Sequence, residues 1–95
     1  MKVKNLLKTK QQWTKELYAR DKYSHSVDPL SKKAVRWCLA GAIRKCYRTD
    51  EKCNLIQSKI YKELHESFKN NLAYFNDASS TKFEDIKKLL QKVNI

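Results

Sequence analysis

Turn-forming residues are scarce in this chain: Gly41 is the only glycine and Pro29 the only proline among 95 residues. A sheet-rich fold needs many tight turns, and glycine and proline are the residues that favour them, so the scarcity disfavours such a fold. Apolar residues instead recur at three- and four-residue intervals, which is typical of amphipathic helices. The sequence therefore predicts one mainly α-helical domain over residues 1–95, a compact bundle of about four helices.

The central stretch, Asp28 to Arg48, has the clearest helical period. Asp28 is a favourable helix N-cap, and Pro29 suits a first helical turn. One apolar stripe is formed by Val35, Cys38, Leu39, Ala42, Ile43 and Cys46. Gly41 interrupts this helix at a cost of ~1 kcal/mol relative to alanine. We therefore expect another backbone segment or an aromatic ring to lie against Gly41.

Two segments precede this predicted helix. A weaker period predicts a first helix from about Lys2 to Gln12. Residues 18–27 alternate tyrosines, charged residues and serines without a helical stripe. We predict an irregular loop there, between the first and second helices, with room for a short extended piece.

Two further helices are predicted after the central one. Thr49 is a suitable N-cap, acidic residues follow it, and apolar residues then recur to about Lys69. Residues 72–80 are expected to link this helix to a final one. Thr81 and Glu84 have the spacing of a capping box at the start of that last helix.

The net charge of +11 is concentrated in the first half of the chain. Residues 1–27 carry seven lysines and arginines against two acidic residues, and residues 28–48 carry six against one. Each of these segments thus contributes +5, whereas residues 49–70 balance at zero and residues 71–95 add +1. This asymmetry indicates an acidic partner, nucleic acid foremost, although a lysine-rich solvated surface would give the same count.

Two groups of cations are candidate binding residues. Basic residues of the predicted central helix fall opposite its apolar stripe. In the loop before it, cations interleave with Tyr18, Tyr23 and His25, as on surfaces that bind single-stranded nucleic acid. The candidates for contact with nucleic acid or an acidic partner are Arg20, Lys22, Lys33, Arg36, Arg44, Lys45 and Arg48. Tyrosines of a connecting loop also commonly anchor it to the core, and the sequence leaves both interpretations open.

Nothing in the sequence indicates catalysis, a metal site or a cofactor. Cys38, Cys46 and Cys53 form no CxxC pair, and the two histidines do not fall at ligand spacing from them. Cys38 and Cys46 instead lie on the predicted core stripe. A single mid-helix glycine cannot form a phosphate-cradling loop. We therefore expect a non-enzymatic protein without cofactor or metal.

The sequence also lacks the signals of secretion and membrane insertion. No apolar run of signal-peptide length follows the basic N-terminal residues, and the longest uncharged apolar run, Trp37–Ile43, is too short to cross a bilayer. Three cysteines, an odd number, argue against a disulfide framework. We expect a cytoplasmic protein with no membrane partner. Tyrosines outside the apolar stripes leave both a monomer and a homodimer possible: Tyr47, Tyr61 and Tyr74.

Several short motifs occur together along residues 13–93. They are Trp13, the Ala19-Arg20-Asp21 segment, the Arg-Trp-Cys-Leu-Ala-Gly-Ala run of residues 36–42, Asn76-Asp77 and Thr81. Taken together they resemble a small domain family of unknown function found in phage and bacterial genomes, with an Arg-Trp-Cys-Leu-x-Gly-Ala helix and a downstream Trp-Asn-Asp turn.

The chain departs from that pattern at two places. Phe75 stands where the family usually has a tryptophan, and Ser79-Ser80 stand where a Pro-Gly type of turn is common. The resemblance implies a mobile-element origin and no particular activity. It also implies packing or capping roles for four parts of the motif: Trp37, Cys38, Gly41 and Asn76-Asp77.

Two functions fit these observations. The first is a basic accessory or regulatory factor that contacts nucleic acid through phosphates, weakly, with tolerance of sequence and with strong salt dependence. The alternative is a protein–protein interaction module, such as a phage-type modulator that binds an acidic surface of a host protein. One exposed patch of Trp13, Tyr18 and Tyr23, rimmed by Arg20 and Lys22, would favour the second function.

Overall fold

The computed structural model describes residues 1–68 and 70–95. Across these residues the fold is mainly helical, as predicted. The α-helices are α1 (Val3–Leu6), α2 (Leu39–Tyr47), α3 (Asp50–Tyr61), α4 (Leu72–Asp77) and α5 (Phe83–Val93). Two short strands, β1 (Ala19–Arg20) and β2 (Arg36–Trp37), and two 3-10 turns, Lys10–Gln12 and Glu66–Phe68, complete the described structure.

One apolar core joins residues from both ends of the chain. Val3 of α1 and Ile95 are both buried, and the Lys4 N–H donates to the Ile95 carbonyl at 3.2 Å. The largest fully buried apolar side chains are Leu7, Leu39, Ile43, Ile60, Ile86, Leu90 and Val3. Because α1, α2, α3 and α5 all contribute to this list, the core holds the helices in one bundle.

The central helix begins at Leu39, so the predicted start at Asp28 is wrong. The Asp28 carboxylate instead accepts the Leu30 N–H at 2.8 Å in a turn. Residues 36–37 then form β2, which pairs antiparallel with β1. An Asp-Pro pair suits a turn as well as a helix start. The strand β2 was not predicted, because its partner β1 is distant in the sequence and helical periodicity reports only on near neighbours.

The late start of α2 changes two roles. Cys38 is the N-cap, since its Sγ accepts the Gly41 N–H at 3.3 Å. Val35 precedes the helix and is 43% exposed, so its predicted place in the core stripe is wrong. Leu39, Ala42 and Ile43 are buried as the pattern predicted.

The first helix is also shorter than predicted. α1 ends at Leu6, and a separate 3-10 turn covers Lys10–Gln12. The Gln12 side chain accepts the Thr9 N–H at 2.8 Å. In a continuous helix that N–H would instead bond to the backbone carbonyl four residues earlier. β1 is the short extended piece within the irregular loop.

α3 begins as predicted, with the Thr49 hydroxyl accepting the Lys52 N–H at 3.3 Å. It ends at Tyr61, so the predicted continuation is wrong; the predicted end, Lys69, lies outside the described residues. The 3-10 turn Glu66–Phe68 follows and places the Phe68 ring against the core. Phe68 and Phe75 meet edge to face, with ring centroids 5.0 Å apart.

Residues 72–80, predicted as a linker, contain α4. The side-chain oxygen of Asn71, Oδ1, accepts the Tyr74 N–H at 3.0 Å and caps the helix. Six residues are too few for a helical period to be detected in the sequence. α4 nevertheless buries Leu72, Phe75 and Asn76.

The cap of α5 lies one residue later than predicted. Thr81 is buried, and Lys82 is the N-cap residue. The Asp85 carboxylate accepts the Lys82 N–H at 2.9 Å, whereas the predicted capping box used Thr81 and Glu84. The sequence predicted an apolar stripe of Phe83, Ile86, Leu90 and Val93 along α5. The first three are buried and Val93 is half-buried, and Leu89, which was not predicted, is buried as well.

Candidate functional site

Asn76 lies in the core, at 1% exposure, and has four hydrogen bonds. Its Oδ1 accepts the Trp13 indole N–H at 2.8 Å and the Leu39 N–H at 3.0 Å. Its Nδ2 donates to the Thr14 carbonyl at 3.1 Å and to the Asp77 carboxylate at 2.9 Å. A buried amide is stable only when it is bonded in this way, so Asn76 ties residues 13–14 to α2 and α4.

Lys15 and Glu16, the next residues of the chain, extend this contact with further hydrogen bonds. Lys15 Nζ donates to the Ala78 and Thr81 carbonyls at 2.7 and 2.9 Å. The Glu16 N–H donates to the Asp77 carboxylate at 2.9 Å. We call this contact of residues 13–18 with α2 and α4 the interior seam.

Gly41 belongs to the interior seam as well. The Tyr18 carbonyl accepts the Cys38 N–H at 3.2 Å. A Cβ on Gly41 would overlap that carbonyl oxygen and would lie 2.8 Å from the carbonyl carbon. The prediction that a backbone segment or an aromatic ring lies against Gly41 is therefore confirmed, and the neighbour is the Tyr18 backbone.

Residues 19–27 form a hairpin, and we call residues 21–25 its tip. The Asp21 carboxylate accepts the N–H groups of Tyr23 and His25, each at 2.9 Å. The pKa of Asp21 lies below its ordinary value of 3.8, because these hydrogen bonds stabilise the carboxylate, and the bond from the His25 N–H has the largest effect. Asp21 therefore remains ionised at neutral pH and shapes the tip.

Arg20 and Arg36, two predicted binding residues, lie opposite each other across β1 and β2. Arg20 donates to the Thr14 hydroxyl at 2.7 Å and to the carbonyls of Ser24 and Lys15 at 3.1 Å. Arg36 donates to the Ser24 hydroxyl at 3.0 Å. Both guanidinium groups thus bond to Ser24 of the tip.

The tip and residues 32–35 line an open cavity of about 620 Å³, which we call the tip groove. Lys22, Lys32 and Lys33 line it together with Tyr23 and His25. Asp21 is the one acidic side chain among its lining residues, and Val35 adds an apolar surface. With a neutral histidine, these side chains carry three positive charges and one negative charge, so the groove suits an anion.

Tyr23 is 68% exposed, and Tyr18 is 66% exposed. Lys22 Nζ lies 5.1 Å from the centroid of the Tyr23 ring, and the His25 ring centroid lies 6.1 Å from it. Neither tyrosine anchors the loop to the core. Trp13 is buried, so the exposed patch of Trp13, Tyr18 and Tyr23 that would mark a protein interface does not form.

The other predicted binding residues lie at the C-terminal end of α2. Arg44 donates to the Arg48 carbonyl at 2.9 Å and to the Asp50 carboxylate at 2.7 Å. The hydrogen bond to Asp50 raises the pKa of Arg44. Lys45 is half-buried, and Arg48 ends the helix with an exposed side chain.

The seven predicted cations therefore form two groups. Arg20, Lys22, Lys33 and Arg36 surround the hairpin, and Arg44, Lys45 and Arg48 lie at the end of α2. The prediction that one helix presents a basic face from Lys33 to Arg48 is wrong, because Lys33 and Arg36 precede the helix. Lys32 also lines the tip groove but was not among the predicted binding residues. The adjacent Lys32 and Lys33 would have indicated it if this segment had been predicted as a turn.

Burial raises the pKa of the Cys38 and Cys46 thiols. A nucleophilic cysteine needs the opposite shift, since the thiolate is the reactive form. In the part of the chain that the structure describes, no three His, Cys, Asp or Glu side chains come together as a metal site. Among the described helices, none combines the length and the apolar composition that crossing a bilayer requires.

Comparison with known proteins places the chain in a family. DUF6197, a family of unknown function, matches residues 2–94. No curated protein and no solved structure matches the chain. The expectation of a domain family of unknown function, drawn from the motifs along residues 13–93, is thereby confirmed. With nearly its whole length matched, the chain belongs to the family of unknown function DUF6197.

Proposed function

We propose that this protein is a small, basic, non-enzymatic accessory or regulatory factor that contacts nucleic acid through its phosphates. The tip groove carries this proposal, because Lys22, Lys32 and Lys33 line one cavity. Asp21 offsets one of these three positive charges and leaves the lining side chains net positive. Lysines arranged in this way suit phosphates and impose no base preference.

The arginines have a smaller part in this proposal. Arg20, Arg36 and Arg44 all donate to acceptors within the protein, so phosphate contact would compete with bonds that support the fold. The three groove lysines are therefore the main phosphate ligands. Three such contacts correspond to a slope of about 2 to 3 in a plot of log affinity against log salt concentration.

A protein interaction module remains the alternative. The charge of the tip groove suits an acidic protein surface of a host as well as it suits a phosphate backbone. Protein interfaces, however, depend on central aromatic anchors in well-packed contacts. Burial of Trp13 removes the largest ring from the predicted patch, which favours nucleic acid.

The same proposal includes a cytoplasmic location, a phage-type origin and no cofactor. Cys38, Cys46 and Cys53 are all free thiols, which suits a reducing compartment. The raised pKa of the Cys38 and Cys46 thiols supports a function without covalent catalysis. The phage-type origin rests on the resemblance of the motifs.

The test is binding of labelled single- and double-stranded DNA and RNA, followed by fluorescence anisotropy from about 50 to 300 mM salt. The variant Lys22→Gln/Lys32→Gln/Lys33→Gln removes the groove charge. We expect it to lower the salt slope by about 2 to 3 and to leave the free energy of unfolding within about 0.5 kcal/mol of the wild type.

The matched control removes the same charge from α3 and its C-cap, as Lys52→Gln/Lys59→Gln/Lys62→Gln. All three of these lysines are exposed and lie outside the tip groove. Equal loss of binding in both variants, or no binding by the wild type at about 50 mM salt, would contradict the proposal. Equally tight binding of poly-L-glutamate would favour an acidic protein partner instead.

A further inference from the structure

We infer that the tip groove takes single-stranded nucleic acid, with one base stacked on the Tyr23 ring and the neighbouring phosphates on Lys22, Lys32 and Lys33. This inference rests on the proposed function and names its substrate class. Grooves that bind single strands combine cations that follow the backbone with rings on which bases stack. The tip groove has both kinds of side chain in one cavity.

The fold presents the Tyr23 ring in a defined place. The Asp21 carboxylate holds the Tyr23 N–H at 2.9 Å, and Arg20 and Arg36 both donate to Ser24, the next residue of the tip. The backbone on which the ring is mounted is therefore supported before any ligand arrives. A contact group that is already ordered loses less conformational entropy on binding.

The charge next to the ring matches the backbone of a stacked nucleotide. Lys22 Nζ lies 5.1 Å from the Tyr23 ring centroid, over one face of the ring. Because Tyr23 is 68% exposed, a base can stack on its ring while Lys22 meets an adjacent phosphate. Lys32 and Lys33 line the same cavity and add to its positive charge.

The Tyr23 ring would allow the protein to discriminate between single-stranded and duplex nucleic acid. In a duplex the bases are paired and stacked on one another, so a duplex can offer the tip groove only its phosphates. An unpaired base adds the contact with Tyr23, because every base has an aromatic face. The protein should therefore bind a single strand more tightly than a duplex of the same length.

Two other cavities do not share this character. One of about 510 Å³ lies beside α4, where Asp77 is the charged side chain and none of the described residues of its wall is a cation. Residues 63–68 and α5 border a cavity of about 390 Å³, where Glu63 and Asp85 offset Lys88 and Lys92. Lys92 is also paired with Glu63 at 2.9 Å. Charge complementarity to a nucleic-acid strand thus selects the tip groove.

The experiment compares oligothymidylate of about 12 nucleotides with a duplex of equal length, both labelled, at about 50 mM salt. The variant Tyr23→Leu removes the ring and keeps every charge. We expect it to weaken binding of the single strand about 5- to 150-fold and to leave duplex binding unchanged. Tyr23→Phe, which keeps the ring, should bind like the wild type.

Tyr74→Leu is the matched control, because Tyr74 is 60% exposed on α4, outside the tip groove. It should change neither affinity. In the wild type, the Tyr23 ring proton resonances should also move upfield when the single strand is added, which tests the stack without any substitution.

The possible failures are distinguishable. If neither probe binds the wild type at about 50 mM salt, the phosphate-binding function fails, and this inference fails with it. If both probes bind with steep salt dependence but Tyr23→Leu weakens both equally or neither, phosphate binding stands and the single-strand inference is overturned. Unmoved Tyr23 ring resonances would overturn it as well.

Discussion

The interior seam and the tip groove are both built from polar side chains, but the fold uses them in opposite ways. In the seam, Asn76 is buried and makes four hydrogen bonds to other residues of the chain. In the groove, Lys22, Lys32 and Lys33 remain exposed around a cavity. The seam's polar atoms stabilise the structure, whereas the groove's charges stay accessible to a ligand.

Basic residues also divide into those that bond within the fold and those that line the groove, so net charge alone does not identify a binding surface. Lys15 and Arg20 donate to backbone carbonyls and contribute to the fold. Lys22 and Lys33, a few residues away along the chain or in space, line the groove. A count of +11 does not separate the two kinds of cation. Their surroundings in the tertiary structure do.

The largest effect is expected from Asn76→Ala, which breaks the seam. The Trp13 indole N–H and the Leu39 N–H would lose their acceptor, and each such loss costs about 1 to 3 kcal/mol. We expect a decrease of about 2 to 5 kcal/mol in the free energy of unfolding, measured by urea denaturation.

Asn71→Ala is the control, because it removes a helix cap at the surface and should cost about 1 kcal/mol. If Asn76→Ala costs no more than Asn71→Ala, the seam does not depend on the buried amide.

The next effect is expected from Gly41→Ala, which tests how closely residues 13–18 lie against α2. In an isolated helix this change would stabilise by about 1 kcal/mol. Here the new methyl group would overlap the Tyr18 carbonyl, so we expect a net loss of about 1 to 3 kcal/mol, with the opposite sign.

Thermal or urea unfolding would measure that sign. Ala40→Gly, at the preceding position, should cost about 1 kcal/mol from helix propensity alone. A Gly41→Ala protein more stable than the wild type would show that the seam can move away without cost.

The smallest effect concerns the tip and its dependence on pH. The pKa of Asp21 is lowered in the folded protein, so the stabilisation of the tip by the carboxylate is fully present above the unfolded value and is lost as the pH falls through the folded value. We expect the Tyr23 and His25 amide resonances to shift in acid with a midpoint below 3.8, while the Leu39 amide in the seam stays unchanged.

Asp21→Asn removes the titrating group, and the acid shift should disappear with it. A midpoint at or above 3.8 in the wild type would show that the carboxylate does not hold these amides.

Local sequence signals predicted those parts of the fold that depend on near neighbours. Thr49 caps α3, and the apolar stripe of α5 is buried, because caps and helical faces are set within a few residues. Gly41 indicated a close contact with a backbone segment or an aromatic ring, since every other residue type has a Cβ that would fill that space. Of the groove lysines, Lys22 was predicted from the rings around it and Lys33 from the basic face of the predicted central helix, whereas Lys32 was not predicted.

The sequence by itself thus determined a mainly helical basic domain, a close contact at Gly41 and an irregular loop that carries rings and cations. Only the tertiary structure decided where α2 begins, which tyrosines are exposed and which cations meet in the tip groove. The physical reason is distance along the chain. β2 pairs with β1 from 16 residues further on, since the register joins Arg20 to Arg36, and Asn76 bonds to Trp13 across 63 residues. Such contacts leave no periodic trace in the sequence.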